Sequence, residues 1–299
     1  MLAGALIALA GAALWGLNAV VSKYLMARGL DTMWMVNFRM ITSGLVLLAA
    51  GAVSDPEGIL DIWKDKASVL RLLAISALAF GVCQLTYYLS IDYSNAGIAA
   101  ALQQTAPAFV LIYVVIRERR RPYPAESVTL PLVIIGSFLI ATHGDIHALA
   151  IHPIALISGL VSALCSALYI TLPSPLIRRY GTLPTVGWGL TLGGFFLAPF
   201  CRLWDFPEVW DTGIVLGLAF IIIPGAAMAF AFFLYGTSIV GPVRGGVYNL
   251  FEPVVACAAS AVFLGQSFLA AEIIGIAAIL AGIAILTVSR ESQTGTSDQ

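Results

Sequence analysis

The sequence predicts an all-α integral membrane protein with ten transmembrane helices, arranged as two inverted five-helix repeats. The first observation is composition: 60% of residues are hydrophobic, 10% are charged, and the mean hydropathy is +0.95. Soluble globular domains carry about 25% charged residues. The second observation is the number of long apolar runs, and the third is a similarity between the two halves of the chain. The formal net charge of −1 gives no indication of a nucleic-acid partner.

A membrane-spanning helix needs about 20 mostly apolar residues. Runs of about this length occur at ten positions: 3–27, 33–53, 68–91, 95–116, 127–143, 153–177, 184–203, 212–238, 241–264 and 271–289. The first run has no Lys or Arg before it and no clear cleavage site, so we expect a membrane helix and not a removable signal peptide. The polar segment 291–299 is predicted to be a disordered cytoplasmic tail.

Basic residues are distributed unequally between the two ends of the predicted helices. Eleven lie on the side that would hold both termini: Lys64, Lys66, Arg71, Arg117, Arg119, Arg120, Arg121, Arg178, Arg179, Arg244 and Arg290. Lys23, Arg28 and Arg202 lie on the other side. Because positively charged loops remain in the cytoplasm, both termini are predicted to be cytoplasmic. The arginines of 117–121 could also bind anionic lipid, although the orientation of the helices already explains them.

The second half of the chain resembles the first. A shift of 146 residues aligns Pro107 with Pro253 and Gln103 with Asn249. The predicted repeats occupy residues 1–146 and 150–290. Since five is an odd number, the second repeat enters the membrane from the opposite side, which is a common symmetry of secondary transporters.

An acid and a proline lie near the centre of the ninth predicted helix, 241–264. An acid at mid-bilayer costs several kcal/mol unless it faces protein or water, so Glu252 is expected to point into the bundle. We interpret it as a ligand for substrate, or less readily as a carrier of a coupling proton. The alternative is a structural acid that is hydrogen-bonded to another helix. Pro107 and Pro253, at matching depth in the two repeats, are predicted hinge or kink positions.

Other polar and aromatic side chains also lie inside predicted helices. Arg39 could bind a substrate carboxylate while Glu252 accepts the ammonium group, or it could pair with an acid or extend to the membrane surface. Trp15 and Asn18 share a helix face that could close over a ligand, although a tryptophan inside a helix is more often a packing residue. The predicted substrate-binding residues are Trp15, Asn18, Arg39, Gln84, Tyr87, Tyr88, Gln103, Tyr169, Tyr248, Asn249 and Glu252.

Metal, redox and catalytic chemistry are not indicated. His143, His147 and His152 lie near Asp145, but their spacing favours a solvated loop over a metal site. Four cysteines lie singly in apolar runs, which predicts packing roles. The paired catalytic groups of a membrane-embedded hydrolase do not occur at mid-depth, so an enzyme is the less favoured class and no cofactor is expected.

Several motifs together resemble a family of transporters. They are Leu14-Trp15-Gly16, Phe38-Arg39, Glu252-Pro253, and the run FLGQSFLAAEIIGIAAILAGIAI that leads through the tenth predicted helix. With ten helices in two inverted halves, this pattern resembles the EamA-type branch of the drug/metabolite transporter superfamily, and within it the YddG-type amino-acid exporters. The chain departs from the family at Gln266, where a glutamate commonly follows Leu-Gly.

The resemblance implies export of amino acids, aromatic and other, and of related metabolites across the bacterial inner membrane. It further implies alternating access through a central cavity between the repeats, in a protein that could act as a monomer. A multidrug or nucleotide-sugar carrier of the same fold is the alternative. A phosphate-bearing substrate would need several basic residues in the cavity, and only Arg39 and Arg244 qualify.

The charge distribution generates a test of orientation. A reporter enzyme that is active only in the periplasm should be silent when it is fused after Gln299, because the carboxyl terminus is predicted to remain in the cytoplasm. The same reporter fused after Trp204, in a predicted periplasmic loop, should be active and serves as the control. Reporter activity after Gln299 would contradict the ten-helix topology.

Overall fold

The computed structural model describes residues 2–106, 108–109, 112, 116, 119, 121, 123–142, 151–240 and 248–295. Regular secondary structure within these residues is entirely helical. The helices, numbered in chain order, are α1 (Leu2–Ala27), α2 (Thr32–Ser54), α3 (Gly58–Asp61), α4 (Lys66–Tyr93), α5 (Ala96–Gln103), α6 (Pro124–Thr142), α7 (Pro153–Thr171), α8 (Ser174–Tyr180), α9 (Thr182–Leu197), α10 (beginning at Thr212 and ending at Val240), α11 (Phe251–Leu264) and α12 (Ala270–Gly295).

Four stretches of the described chain are long and apolar enough to cross a bilayer. They are α1, α2, α4 and the Thr212–Thr237 part of α10. Shorter apolar helices occur at Pro124–Ile140, Pro153–Leu168, Phe251–Leu264 and Ala270–Ile285. These helices confirm the prediction of an all-α membrane protein.

Several helix boundaries differ from the predicted ones. The predicted helix 95–116 is interrupted after Gln103 by a turn at Gln104 and Thr105. The predicted helix 153–177 divides into α7 and α8 at Leu172 and Pro173, because Pro173 has no backbone N–H with which to continue the intrahelical hydrogen bonds. Helix α12 continues to Gly295, whereas the sequence predicted a disordered tail from residue 291, and no proline or glycine lies between Gly282 and Gly295 to end the helix.

Helices α1, α2 and α4 are joined by hydrogen bonds at one end of the bundle, which we call the Asp92 end. The ammonium group of Lys23 donates to the backbone oxygens of Ile91 (2.9 Å) and Asp92 (2.5 Å). Thr32 Oγ1 donates to Asp92 Oδ2 at 2.7 Å. A basic side chain at the carboxyl end of a helix satisfies free carbonyl groups there, so these bonds hold the end of α4 against α1 and α2.

A second polar cluster joins helices at the opposite end, which we call the Asp65 end. Arg179 Nη1, from α8, donates to Asp65 Oδ2 at 2.8 Å, and the two side chains form an ion pair. Tyr180 donates its hydroxyl to Ser68 Oγ at 3.1 Å. These contacts hold α8 next to the start of α4.

Glycine permits close contact between helices in the membrane part of the bundle. A Cβ atom at Gly44 of α2 would lie 2.2 Å from Thr191 Oγ1 and 2.7 Å from the backbone oxygen of Gly187, both in α9. A Cβ atom at Gly136 of α6 would lie 2.5 Å from the oxygen of Gly275 in α12, and one at Gly275 would lie 2.6 Å from the oxygen of Gly136. Small residues are the usual means by which membrane helices approach each other closely.

Substitution of Gly44 tests this packing. Gly44→Ala should lower the thermal unfolding midpoint in detergent, because the new methyl group overlaps backbone and a short side chain, and overpacking costs about 1–3 kcal/mol. Gly51→Ala in the same helix is the matched control, since its Cβ would lie 3.2 Å from the flexible Cδ1 end of Ile59. Helix propensity favours alanine by about 1 kcal/mol at either position. Equal midpoints for the two variants would contradict the packing.

Candidate functional site

A cavity of about 340 Å³ lies among the helices. Its wall is mainly apolar and carries a few polar groups, which is the usual character of a small-molecule site. Nine of the predicted substrate-binding residues line it: Trp15, Asn18, Arg39, Gln84, Tyr87, Tyr88, Gln103, Asn249 and Glu252. Tyr248 is half-buried and does not belong to the described wall. The side chain of Tyr169 and the whole of Pro107 fall outside the described residues.

Arg39 is a buried cation in α2, only 3% exposed. Its Nη2 donates to Gln84 Oε1 at 2.6 Å, and its Cζ lies 4.7 Å from the centre of the Tyr88 ring. The Nε atom is buried and has no hydrogen-bond partner among the residues that the structure describes. The Arg39 side chain therefore lies inside the bundle, and none of the ion pairs within the described part of the chain includes it.

Glu252 is buried, 6% exposed, and accepts a hydrogen bond from the Tyr87 hydroxyl at 3.2 Å. Glu252 therefore has the position expected of a substrate ligand, because it lines the cavity. It also has the contact expected of a structural acid, because it is hydrogen-bonded to a residue of α4. It makes no ion pair with Arg39. The cavity wall therefore contains one positive and one acidic group that do not neutralise each other.

The position of Pro253 explains how an acid and a proline are accommodated together. A turn at Leu250 precedes α11, which begins at Phe251. Pro253 therefore lies in the first turn of a helix, where the missing N–H would have no intrahelical acceptor. Glu252 lies in the same turn, where the helix dipole favours a negative charge. The interruption at Leu250 corresponds to the predicted kink.

Helix α4 contacts both buried charges through two consecutive residues. Tyr87 bonds Glu252, and Tyr88 lies against Arg39. Tyr88 also accepts a hydrogen bond from Asn18 Nδ2 at 2.8 Å, which links the site to α1. The rings of Tyr87 and Tyr88 meet edge to face, with centroids 5.5 Å apart. A movement of α4 would therefore change the surroundings of both charges together.

Two amide side chains on the wall also link neighbouring segments. Gln103 Nε2 donates to Ser162 Oγ of α7 at 2.8 Å. Asn249 Nδ2 donates to Gln104 Oε1, and Gln104 Nε2 donates to the backbone oxygen of Asn249, each at 3.4 Å. The interruption after α5 and the one before α11 therefore contact each other beside the cavity.

An aromatic cluster forms the apolar part of the wall. The ring of Trp15 lies 5.0 Å from that of Phe230 and 4.9 Å from that of Phe233, measured between centroids. Trp15 therefore both packs and lines the cavity. The sequence analysis did not identify Phe230 or Phe233, although with Thr237 they fall on one face of α10 at helical spacing.

Two π-helical stretches beside the cavity were also not predicted. They are Ser76–Val82 in α4 and Ile223–Met228 in α10. The first contributes Ala79 and Phe80 to the wall. Such stretches insert a residue into a helix and often occur at functional sites. The one sequence signal for them was the Pro224-Gly225 pair inside an apolar run.

The described residues give no support to a metal centre. They contain no group of three or more His, Cys, Asp or Glu side chains that could hold a metal ion. His152 accepts a hydrogen bond from the backbone N–H of Ile154 at 3.2 Å and lies against the Tyr93 ring. His143, His147 and Asp145 are outside the described residues.

Comparison with known proteins identifies the family. The profile of the EamA-like transporter family matches residues 2–142 and again residues 153–288. This chain belongs to the EamA-like transporter family. The predicted membership is thereby confirmed, together with the prediction of a membrane-embedded transporter of small molecules.

Relatives within the EamA-like family include proteins with and without an assigned substrate. The chain is 30% identical over 286 residues, 95% of each protein, to the "Uncharacterized inner membrane transporter YicL" of Salmonella typhimurium. It is 26% identical over 225 residues, 74% of this chain and 73% of the relative, to the "Threonine/homoserine exporter RhtA" of Escherichia coli. A solved crystal structure with 16% sequence identity matches with a TM-score of 0.63 over 97% of this chain and 98% of that one, which supports the fold alone.

Proposed function

We propose that this protein exports amino acids, aromatic and other, and related metabolites across the bacterial inner membrane. The observation that carries the proposal is the cavity with buried Arg39 and Glu252, which make no ion pair with each other. A zwitterionic amino acid brings a carboxylate and an ammonium group, so it can satisfy both residues at once. Burial of the two charges is then compensated by the substrate.

Other wall groups support a zwitterionic substrate. Asn18 Oδ1 and Asn249 Oδ1 are buried acceptor atoms with no hydrogen-bond partner in the described chain, and both residues line the cavity. They could accept further hydrogen bonds from an ammonium group. The aromatic cluster around Trp15 would contact the substrate side chain without requiring one shape, which suits broad selectivity.

The relatives support amino acids and the inner membrane. One relative is named a threonine/homoserine exporter, and another is named an inner membrane transporter. A nucleotide sugar is less well suited, because Arg39 is the single basic residue of the described wall. We therefore favour a transporter of amino acids with no catalytic chemistry, and a monomer suffices because one chain supplies the cavity wall.

We further propose that the chain forms ten transmembrane helices in two inverted five-helix repeats, residues 1–146 and 150–290, with both termini in the cytoplasm. The separate family matches in the two halves support the repeats.

Transport would proceed by alternating access. The cavity extends towards the Asp65 end, since Ile177 of α8 and Thr237 of α10 belong to its wall. The Asp92 end is held together by the bonds of Lys23 and by an ion pair between Arg28 and Asp211. With the predicted orientation, this arrangement corresponds to a state that loads from the cytoplasm. Release on the other side would require the Asp92 end to open.

Counterflow in proteoliposomes tests the proposed substrate class. Liposomes preloaded with unlabelled phenylalanine, leucine or threonine should accumulate the same amino acid in labelled form, because an alternating-access carrier exchanges its substrate without an energy source. Vesicles preloaded with a nucleotide sugar or a cationic dye should show no exchange, and protein-free liposomes are the control. Exchange of the nucleotide sugar or the dye, without exchange of any amino acid, would overturn the proposal.

A further inference from the structure

Gln84 occupies part of the position on Arg39 that a carboxylate would take. Nη2 and Nε form one edge of the guanidinium group, and a carboxylate can bind that edge with two parallel hydrogen bonds. In this structure Nη2 donates to the single amide oxygen of Gln84, at 2.6 Å, whereas Nε has no hydrogen-bond partner within the described part of the chain. The edge is therefore only half satisfied by the protein's own side chains.

The surroundings of Arg39 hold the guanidinium group in place while leaving that edge incomplete. The Tyr88 ring lies against it with 4.7 Å from Cζ to the ring centre, and Tyr88 is in turn fixed by Asn18. Arg39 itself is 3% exposed, so bulk water does not complete the edge. Gln84 is only half-buried and lines the cavity, so its side chain can move aside more easily than Arg39 can.

We infer that Gln84 is a positioning residue that holds Arg39 in the empty site and gives way to the substrate carboxylate. A neutral amide oxygen is the appropriate acceptor for this role, because it stabilises the buried cation but binds it less strongly than a carboxylate does. The bound carboxylate supplies an acceptor to Nε and replaces Gln84 on Nη2. Because only a carboxylate can replace Gln84 in this way, the site selects substrates that carry a carboxylate over amines of the same shape that lack one. The inference rests on the proposed function, since it requires an amino-acid substrate.

A charged variant of Gln84 distinguishes this role from simple packing. Gln84→Glu keeps the size of the side chain and gives Arg39 a permanent carboxylate partner. In counterflow with labelled phenylalanine, the variant should lose affinity for phenylalanine by at least about tenfold. Inhibition by phenethylamine, which has the same side chain and no carboxylate, should be affected much less. The preference for phenylalanine over phenethylamine should therefore fall by a similar factor.

Two further variants complete the experiment. Gln84→Met removes the competing oxygen at similar volume, so it should keep or increase the preference for phenylalanine, and this result can be obtained even if Gln84→Glu does not fold. Gln266→Glu makes the same change after α11, outside the cavity wall, and should leave the preference unchanged. A wild-type preference in Gln84→Glu, or a reduced preference in Gln84→Met, would overturn the inference. Absence of amino-acid exchange by the wild-type protein would instead overturn the proposed function.

Discussion

The arrangement of the cavity depends on one constraint. Its wall holds a buried arginine and a buried glutamate, and these two residues do not form an ion pair with each other. Arg39 and Glu252 are 3% and 6% exposed. Removing either charge from water is costly, and an ion pair between them would be the simplest compensation. The protein instead surrounds each group with neutral hydrogen-bonding or aromatic partners, Gln84 and Tyr88 for Arg39 and Tyr87 for Glu252. Neither group is therefore neutralised by a charged partner within the described chain.

Several other features of the bundle determine the positions of these two groups. The interruption at Leu250 places Glu252 in the first turn of α11, and the π-helical stretch in α4 immediately precedes the turns that carry Gln84, Tyr87 and Tyr88. Close glycine contacts hold α2 against α9 on one side. Helix α4 also forms the bonds to Lys23 at the Asp92 end. One helix therefore connects the surroundings of both charges with the Asp92 end, which opens in the alternating-access cycle that we propose.

Sequence reasoning located most of the polar wall because a polar side chain inside an apolar helix has few acceptable surroundings. Arg39 and Glu252 had to face protein or water, and both line the cavity. Phe230 and Phe233 were missed for the opposite reason, since an apolar side chain is equally stable against lipid or in a cavity.

Local backbone geometry was the other feature that sequence could not supply. Hydrophobic periodicity does not detect a single inserted residue, so the π-helical stretch Ser76–Val82 escaped prediction. The proline at 253 indicated a disturbance of the ninth predicted helix but not its form, which is a turn at Leu250 followed by a new helix. The partner of Arg39 was also unpredictable, because Gln84 reaches it only through the packing of α4 against α2.

The central claim is that Arg39 and Glu252 each bind one end of the same zwitterion. The most direct measurement is inhibition of labelled phenylalanine counterflow by three compounds, phenylalanine, phenethylamine and 3-phenylpropanoate, in wild type, Arg39→Met and Glu252→Gln. The wild-type protein should prefer phenylalanine to both analogues. Arg39→Met should lose only the preference over phenethylamine, and Glu252→Gln should lose only the preference over 3-phenylpropanoate. Equal loss of binding for all three compounds in both variants, at matched protein levels, would contradict the claim.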